Sequence, residues 1–240
     1  MHVVVTAGNT HVLVDRVRCI TNIFTGRTGT RLALEAHRRG HSVTLLTSHP
    51  EVVVELADQP PTSGPGFRVR RFRSFDDLHE LMEDLLSPPA GLNVDAVLHC
   101  AAVSDYQVTG AFALDPVTGE RQALSEGKIK SGYPELWLKL VPTIKLVDQI
   151  RKPWGFQGIL VKFKLEVGLS ERELLRVAES ARLQSQADLV CANTIEGMAE
   201  WAILGAGEHY EKIERHELAP RLLSTVERLA AKRCSGVSEP

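Results

Sequence analysis

The sequence predicts an α/β protein: a Rossmann-like, doubly wound, mostly parallel sheet with an inserted loop and strand region over residues 106–142. Three observations carry this. Short apolar runs rich in β-branched residues alternate with stretches of three-to-four-residue apolar spacing. The first run, HVVV, ends in the small-residue turn TAGNT, and a second such turn, TGRTG, precedes a helical pattern. A βαβ succession lays down parallel strands by right-handed crossovers, with ligands held at their carboxyl ends.

The elements follow in order. HVVV near residue 3, SVTLLT near 44, FRVRRF near 69, AVLHC near 98, GILVKF near 160 and DLVCA near 190 read as strands buried on both faces. Residues 28–39, 75–86, 143–150 and 171–184 read as helices, with Gly40 stopping the first. QPPTSGPG, residues 59–66, is a surface connection. Residues 106–133 read as a long loop with a hairpin turn in DPVTGE, ending in GKIKSG. In ELWLKLV, Leu136, Leu138 and Leu140 share one face of an exposed or interface strand. HYEKIER is a short polar segment, a helix runs over about 217–232, and residues 233–240 form a disordered tail. The expected organisation is one domain, 1–232, including a flap loop and dimerisation strand over 106–142.

At 240 residues and 43% hydrophobic content, the chain can fill one large α/β core. Its 28 Lys and Arg against 30 Asp and Glu give a formal charge of -2, so no global basic field attracts nucleic acid and any anion must be held locally. Cys19, Cys100, Cys191 and Cys234 form no CxxC pair, which points away from zinc and from a disulfide framework and toward a reducing cytoplasm. No signal-peptide pattern and no run of about 18 apolar residues is present, so a soluble cytoplasmic protein is expected.

In the first turn, Gly8 permits close backbone approach to a ligand or makes a tight strand-to-helix turn with none. The second turn brings Thr25, Gly26, Arg27, Thr28 and Gly29 to a helix start, where a phosphate fits; an ordinary N-cap with a solvent-facing arginine is the plain alternative. In VLHCAAVSDY, Ala101 and Ala102 leave room for a flat group, and Asp105 offers hydroxyl acceptors or caps a turn. A strict GxGxxG is absent.

The succession TAGNT, VRCITNIFTGRTG, AAVSDY, GKIKS, VKFKLE and DLVCAN resembles the phosphopantothenate-cysteine ligase family over about residues 2–232. The resemblance implies a ligase of coenzyme A biosynthesis. The carboxylate of 4'-phosphopantothenate attacks the α-phosphate of CTP or ATP, with Mg2+ accompanying the nucleotide, and cysteine then attacks the acyl-nucleotide. It implies that Gly8, Gly26, Gly29, Phe163 and Asn193 meet the nucleotide. Asn22, Ala101, Ala102 and Asp105 lie along the phosphopantothenoyl group and its junction with the nucleotide, Asp105 serving the nucleotide in some members. Lys128 closes over the phosphates, and Arg18 reaches the phosphopantothenate of a partner in a homodimer. Asn22 and Lys128 are the residues expected to act in catalysis, and no resident metal site is implied.

Departures are specific. The family has two adjacent glycines at Gly8 and Asn9, and two serines at Phe24 and Thr25. CTP-dependent members carry KIKK where Ser131 ends KIKS here, and two lysines where this chain reads ARLQSQADL, with Ser185 and only Arg182 as a cation. The ATP-using branch also reads KIxS, FKLE and AVSD. The flavin-dependent decarboxylase domain often fused ahead is not in this sequence. The rivals are a nucleotide-binding paralogue of weakened activity and an NAD(P)-dependent Rossmann oxidoreductase. The latter predicts an acidic residue near the end of the second strand, or basic residues for a 2'-phosphate, and a Tyr-x-x-x-Lys pair; that strand here ends in LLTSHP and no such pair appears.

Overall fold

In the structure, a computed structural model, residues 1–57, 61, 66–87, 93–115, 118–124 and 127–235 are described. Strand β1 (His2–Ala7) leads through the hairpin β2 (His11–Leu13) and β3 (Cys19–Thr21) into helix α1 (Arg27–Arg38). Then come β4 (Ser42–Thr47), α2 (Glu51–Leu56), β5 (Phe67–Arg71), α3 (Phe75–Leu86) and β6 (Ala96–His99). Strands β7 (Tyr106–Leu114), β8 (Arg121–Ala123) and β9 (Leu136–Pro142) precede the short α4 (Leu146–Gln149). Strand β10 (Ile159–Glu166), α5 (Glu171–Gln184), β11 (Leu189–Thr194), β12 (Trp201–Ala206), β13 (His209–Glu214) and α6 (Leu218–Cys234) complete the chain.

The central sheet runs β13-β12-β11-β10-β6-β1-β4-β5. Six strands are parallel, and β12 and β13 add an antiparallel hairpin at one edge. From β1 the chain first builds outward to β4 and β5, then returns to lay β6, β10 and β11 on the other side. The order therefore reverses between β1 and β6, where a doubly wound sheet opens a crevice.

Period-two alternation fills both faces. Val3, Val5, Leu45, Leu98 and Val161 pack with Leu32 and Ala36 of α1 and Leu222 and Val226 of α6. Val4, Leu46, Val97 and Leu160 pack with Leu78 and Met82 of α3 and Leu146 and Val147 of α4. Val190 and Ala192 meet Leu174 and Ala178 of α5. Each fully buried leucine contributes about 1.5–3 kcal/mol. Helices α3 and α5 both begin with capping boxes, Ser74 with Asp77 and Ser170 with Glu173.

Several elements differ from expectation. Strand β5 is an edge, with Arg68, Val69, Arg70 and Arg71 exposed, so only Phe67 enters the core. The stretch read as a loop over 106–133 contains β7 and β8, which join β9 in a separate antiparallel sheet. Pairing along β9 supplies hydrogen bonds that local sequence does not announce. The helix expected over 143–150 shrinks to α4, because Thr143 is spent on the loop after β6: its N–H donates to Asp105 O at 2.9 Å and its hydroxyl to Ser104 O at 2.8 Å. HYEKIER contains the edge strand β13, polar because much of it faces solvent. Helix α6 extends through residues 233 and 234, where the sequence predicts a tail; residues 236–240 lie outside the described residues. So do most of 59–66 and Pro116 and Val117 of the DPVTGE turn. Among the described residues no helix is long and apolar enough to cross a membrane.

Candidate active site

The floor of the crevice is made by β1 and β6 pairing on past their ends. Cys100 N–H donates to Thr6 O at 3.2 Å and Ala102 N–H to Gly8 O at 2.8 Å, bridging Asn9 to Ala102. The two small-residue turns press together here. Gly8 has φ +88° and Gly26 φ +82°, and a Cβ on Gly26 would fall on the Gly8 backbone nitrogen. A Cβ on Gly29 would meet Ala7 Cβ at 2.8 Å and Thr6 O at 2.9 Å. These glycines therefore seat α1 against β1, bringing the helix N-terminus to the crevice.

Asn9, where the sequence breaks a glycine pair, is buried and fully engaged. Its N–H donates to Ser48 Oγ at 2.9 Å, and its Nδ2 donates to Asn22 O at 2.5 Å. Ser48 in turn donates to Asn9 Oδ1 at 3.3 Å. The residue following β4 thus braces the first turn and carries no carboxylate for a ribose. Asn22 is exposed, and its Nδ2 donates to Ala102 O at 3.0 Å. It is not the helix cap: that position is Gly26, four residues on, with no side-chain capping bond.

On the face shared with α4 and α5 lies a cleft of about 210 Å³ lined by Ala101, Asp105, Lys145, Lys162, Phe163 and His99, among others. Asp105 pairs with Lys145 at 2.8 Å in an exposed ion pair, and Lys164 pairs with Glu166 at 2.8 Å. Burial first, and the nearby Lys162 ammonium second, push His99 down to about 4, so its ring is neutral at pH 7. Its Nδ1 lies 3.1 Å from Thr6 Oγ1, which accepts the Ala101 N–H at 3.1 Å. Arg182, the cation left in ARLQSQADL, is committed elsewhere: it forks onto Glu179 at 2.8 and 2.7 Å and donates to Ala187 O.

On the other face, a cavity of about 460 Å³ lies between α1 and α6, lined by Thr28, Arg31, Arg215 and His216, among others. The Arg215 guanidinium donates to Thr28 Oγ1. Burial lifts the Cys191 thiol to about 12 and the Cys100 thiol well above its ordinary value, so neither is a nucleophile at neutral pH. Asn193 is half-buried in β11, beside Leu165 of β10.

Lys128 is exposed in the segment after β8, while its neighbour Ile129 is buried. The β2–β3 hairpin anchors this segment. Asp15 accepts the N–H groups of Val17, Arg18 and Ile129 at 2.8, 2.8 and 3.1 Å, led in effect by Val17, and these hold its carboxyl below the usual range. Arg18 NH2 donates to Ile129 O of the same chain at 2.6 Å.

The structure thus gathers Gly8, Gly26, Asn22, Ala101, Ala102, Asp105 and Phe163 at the carboxyl edge near the switch point. Lys128 belongs to the segment after β8, and Arg18 to the β2–β3 hairpin that anchors it. Lys162, Lys145 and Arg215 were not singled out from sequence. A lysine inside the otherwise apolar run GILVKF was the available signal for Lys162, since a strand buried on both faces has no place for an unassigned charge. Among the described residues no group of three or more His, Cys, Asp or Glu forms a metal site.

Residues 1–229 match the DNA/pantothenate metabolism flavoprotein C-terminal domain family. The coenzyme A biosynthesis bifunctional protein CoaBC of Thermococcus kodakarensis is 34% identical over 235 residues, covering 95% of this chain and 51% of that protein. The CoaBC protein of Escherichia coli is 28% identical over 196 residues, covering 81% and 41% respectively. The chain thus spans about half or less of the length of these curated relatives. Among solved structures, the DNA/pantothenate metabolism flavoprotein from Streptococcus pneumoniae superposes with a TM-score of 0.80 at 26% identity, covering 95% of this chain and 99% of that one. A Cab2 mutant in complex with phosphopantothenate-cysteine shares the fold with a TM-score of 0.71 at 20% identity, covering 97% and 88%. The chain belongs to the DNA/pantothenate metabolism flavoprotein C-terminal domain family.

Proposed function

We propose that the protein is a phosphopantothenate-cysteine ligase acting at the carboxyl edge of the sheet. The observation that carries the reading is the hydrogen bond from Asn22 Nδ2 to Ala102 O at 3.0 Å. It joins the approach to the TGRTG turn with the AAVSD stretch that follows β6 around one crevice. Family membership supports it independently.

In the first step a carboxylate oxygen of 4'-phosphopantothenate attacks the α-phosphate of CTP or ATP, and pyrophosphate leaves with its Mg2+. In the second, the amine of cysteine attacks the acyl carbon, loses a proton and expels the nucleoside monophosphate. Gly8, Gly26, Gly29, Phe163 and Asn193 would face the nucleotide, the α1 N-terminus favouring its negative charge. Ala101, Ala102 and Asp105 would line the acid and the junction, with Lys145 neutralising Asp105 until a hydroxyl replaces it. Lys128 would close over the phosphates. We further propose a homodimer through β9, where Leu136, Trp137 and Leu140 are exposed, with Arg18 of each chain serving its partner's site.

The test separates the two steps. One Asn22 N–H is held by Ala102 O, and the other has no acceptor among the described residues. It is therefore available to the oxyanion that forms when cysteine attacks. Asn22→Ala should slow the second step about 100- to 1000-fold while sparing pyrophosphate release, because a donor aimed at the tetrahedral oxygen gives less to the planar ester. Acyl-nucleotide accumulation by mass spectrometry is the expected result; equal loss of both half-reactions, or of neither, would overturn the assignment.

A further inference from the structure

Lys162 is a charged side chain only 8% exposed, in the middle of a strand whose preceding residues are core. Its ammonium donates to Ala181 O at 2.9 Å, in the last turn of α5, and to Ser185 Oγ at 2.6 Å, on the residue that ends the helix. Both acceptors are neutral, and the third N–H has no acceptor among the described residues. No carboxylate of the described residues lies within ion-pair distance. Asp148 acts only through space; its Oδ2 accepts from Gln184 at 3.0 Å, and its buried Oδ1 has no partner. The other two lysines of this cleft are paired, Lys145 with Asp105 and Lys164 with Glu166.

A buried ammonium without a counterion is costly to maintain, and burial accordingly pulls its proton affinity down. Such groups are retained where an anion completes them. Lys162 lines the cleft with Asp105 and Phe163, which brings its unspent charge to where the site takes its ligand. The neutral His99 ring, register partner of Lys162 on β6, neither competes for that anion nor repels the lysine. Arg182, on the same helix end, is unavailable because Glu179 holds both arms of its fork.

We propose that Lys162 is the fixed cation of the cleft floor and binds a phosphate of the nucleoside triphosphate, with α5 supplying Ala181 O and Ser185 Oγ to aim it. This rests on the ligase reading above and adds to it a residue acting on the nucleotide alone. The exposed Lys128 would then cover phosphates that Lys162 has already caught.

The test is calorimetric titration of the wild-type protein, Lys162→Gln, and the double variant Lys162→Gly/Ser185→Lys. The probes are ATP, CTP and inorganic tripolyphosphate, each with Mg2+, and separately 4'-phosphopantothenate. Glutamine keeps a hydrogen bond to Ser185 and loses the charge, so it tests charge in a folded protein, checked by its melting curve. Lys162→Gln should weaken the preferred nucleotide and tripolyphosphate about 30-fold or more, as loss of a charge-assisted phosphate contact does, and leave 4'-phosphopantothenate within about threefold. Because Ser185 Oγ sits against the ammonium, a lysine from position 185 over a glycine at 162 should restore most of that affinity. Wild-type nucleotide binding that Lys162→Gln retains would overturn the inference and leave the ligase reading standing. A wild-type protein that binds neither nucleotide nor tripolyphosphate would overturn both.

Discussion

The central sheet and the three-stranded sheet of β7, β8 and β9 are built on opposite terms. In the first, the site-forming turns are locked by interior contacts: Gly26 on Gly8, Asn9 on Ser48, Lys162 on α5. In the second, large apolar groups stay in solvent, with Leu136 38%, Trp137 40% and Leu140 46% exposed, and Lys128 reaches outward from a segment pinned mainly through Ile129. In the proposed reading, the floor of the site is held by the core, whereas the Lys128 segment that would cover it depends on a few contacts to the β2–β3 hairpin. Substitutions in the floor should therefore register in stability, and those in the cover in chemistry alone.

The largest expected effect is in the cover. Lys128→Ala should cut the pyrophosphate burst by two to three orders of magnitude, since losing one cation from a developing phosphoryl charge costs roughly 3 to 4 kcal/mol. Its melting temperature should stay at the wild-type value because the side chain is exposed. A burst of unchanged size would leave the loop without a catalytic part.

Gly26→Ala tests the floor in the opposite sense. A φ of +82° and a collision with the Gly8 backbone together should cost about 3 kcal/mol, from strain and overpacking in similar shares. Chemical denaturation should show the loss with or without ligands. Stability within about 0.5 kcal/mol of wild type would mean that the two turns do not pack together.

Much of this contrast could be read in the sequence, for reasons that differ by region. Five of the six parallel strands are apolar runs bounded by turn residues, β5 with its exposed arginines being the exception, and α1, α3 and α5 carry both periodicity and stop or cap signals. Local pattern and tertiary context agree there. The three-stranded sheet is less legible: YQVTGAFAL becomes strand β7 because β8 and β9 pair with it, β9 across 22 or more intervening residues, and local sequence shows only the DPVTGE turn. In the site, the glycines and AAVSD were legible as turns and a strand end. Lys162 reads as part of a strand, because sequence shows that a lysine lies in an apolar run but not that its ammonium meets Ser185.

His99 offers a milder test of how dry the floor is. Its folded value of about 4 lies below the ordinary 6.5, so the native state binds fewer protons than the unfolded chain at acidic pH. Stability is then complete above pH 6.5 and is lost as pH falls from 6.5 toward 4. At pH 5 the loss should be about 2 kcal/mol relative to pH 7.5. His99→Gln should flatten this part of the stability curve, since its amide does not titrate. An unaltered slope between pH 6.5 and 5 would place the proton uptake elsewhere.

The smallest effect concerns the far end of the helix that aims Lys162. Ser170 caps α5 by accepting the Glu173 N–H, while Glu173 accepts the Ser170 N–H at 3.0 Å. Ser170→Ala removes one half of this box and should cost about 1 kcal/mol of stability. The acceptors Ala181 O and Ser185 Oγ lie about three and four turns away, at the end of α5 beyond Ala178, which packs against Val190 and Ala192. Fraying confined to the first turn leaves them in place, so nucleotide affinity should not change when stability falls. If affinity drops in proportion to stability, the floor is less rigid than its packing implies, and α5 moves as a unit when its cap is lost.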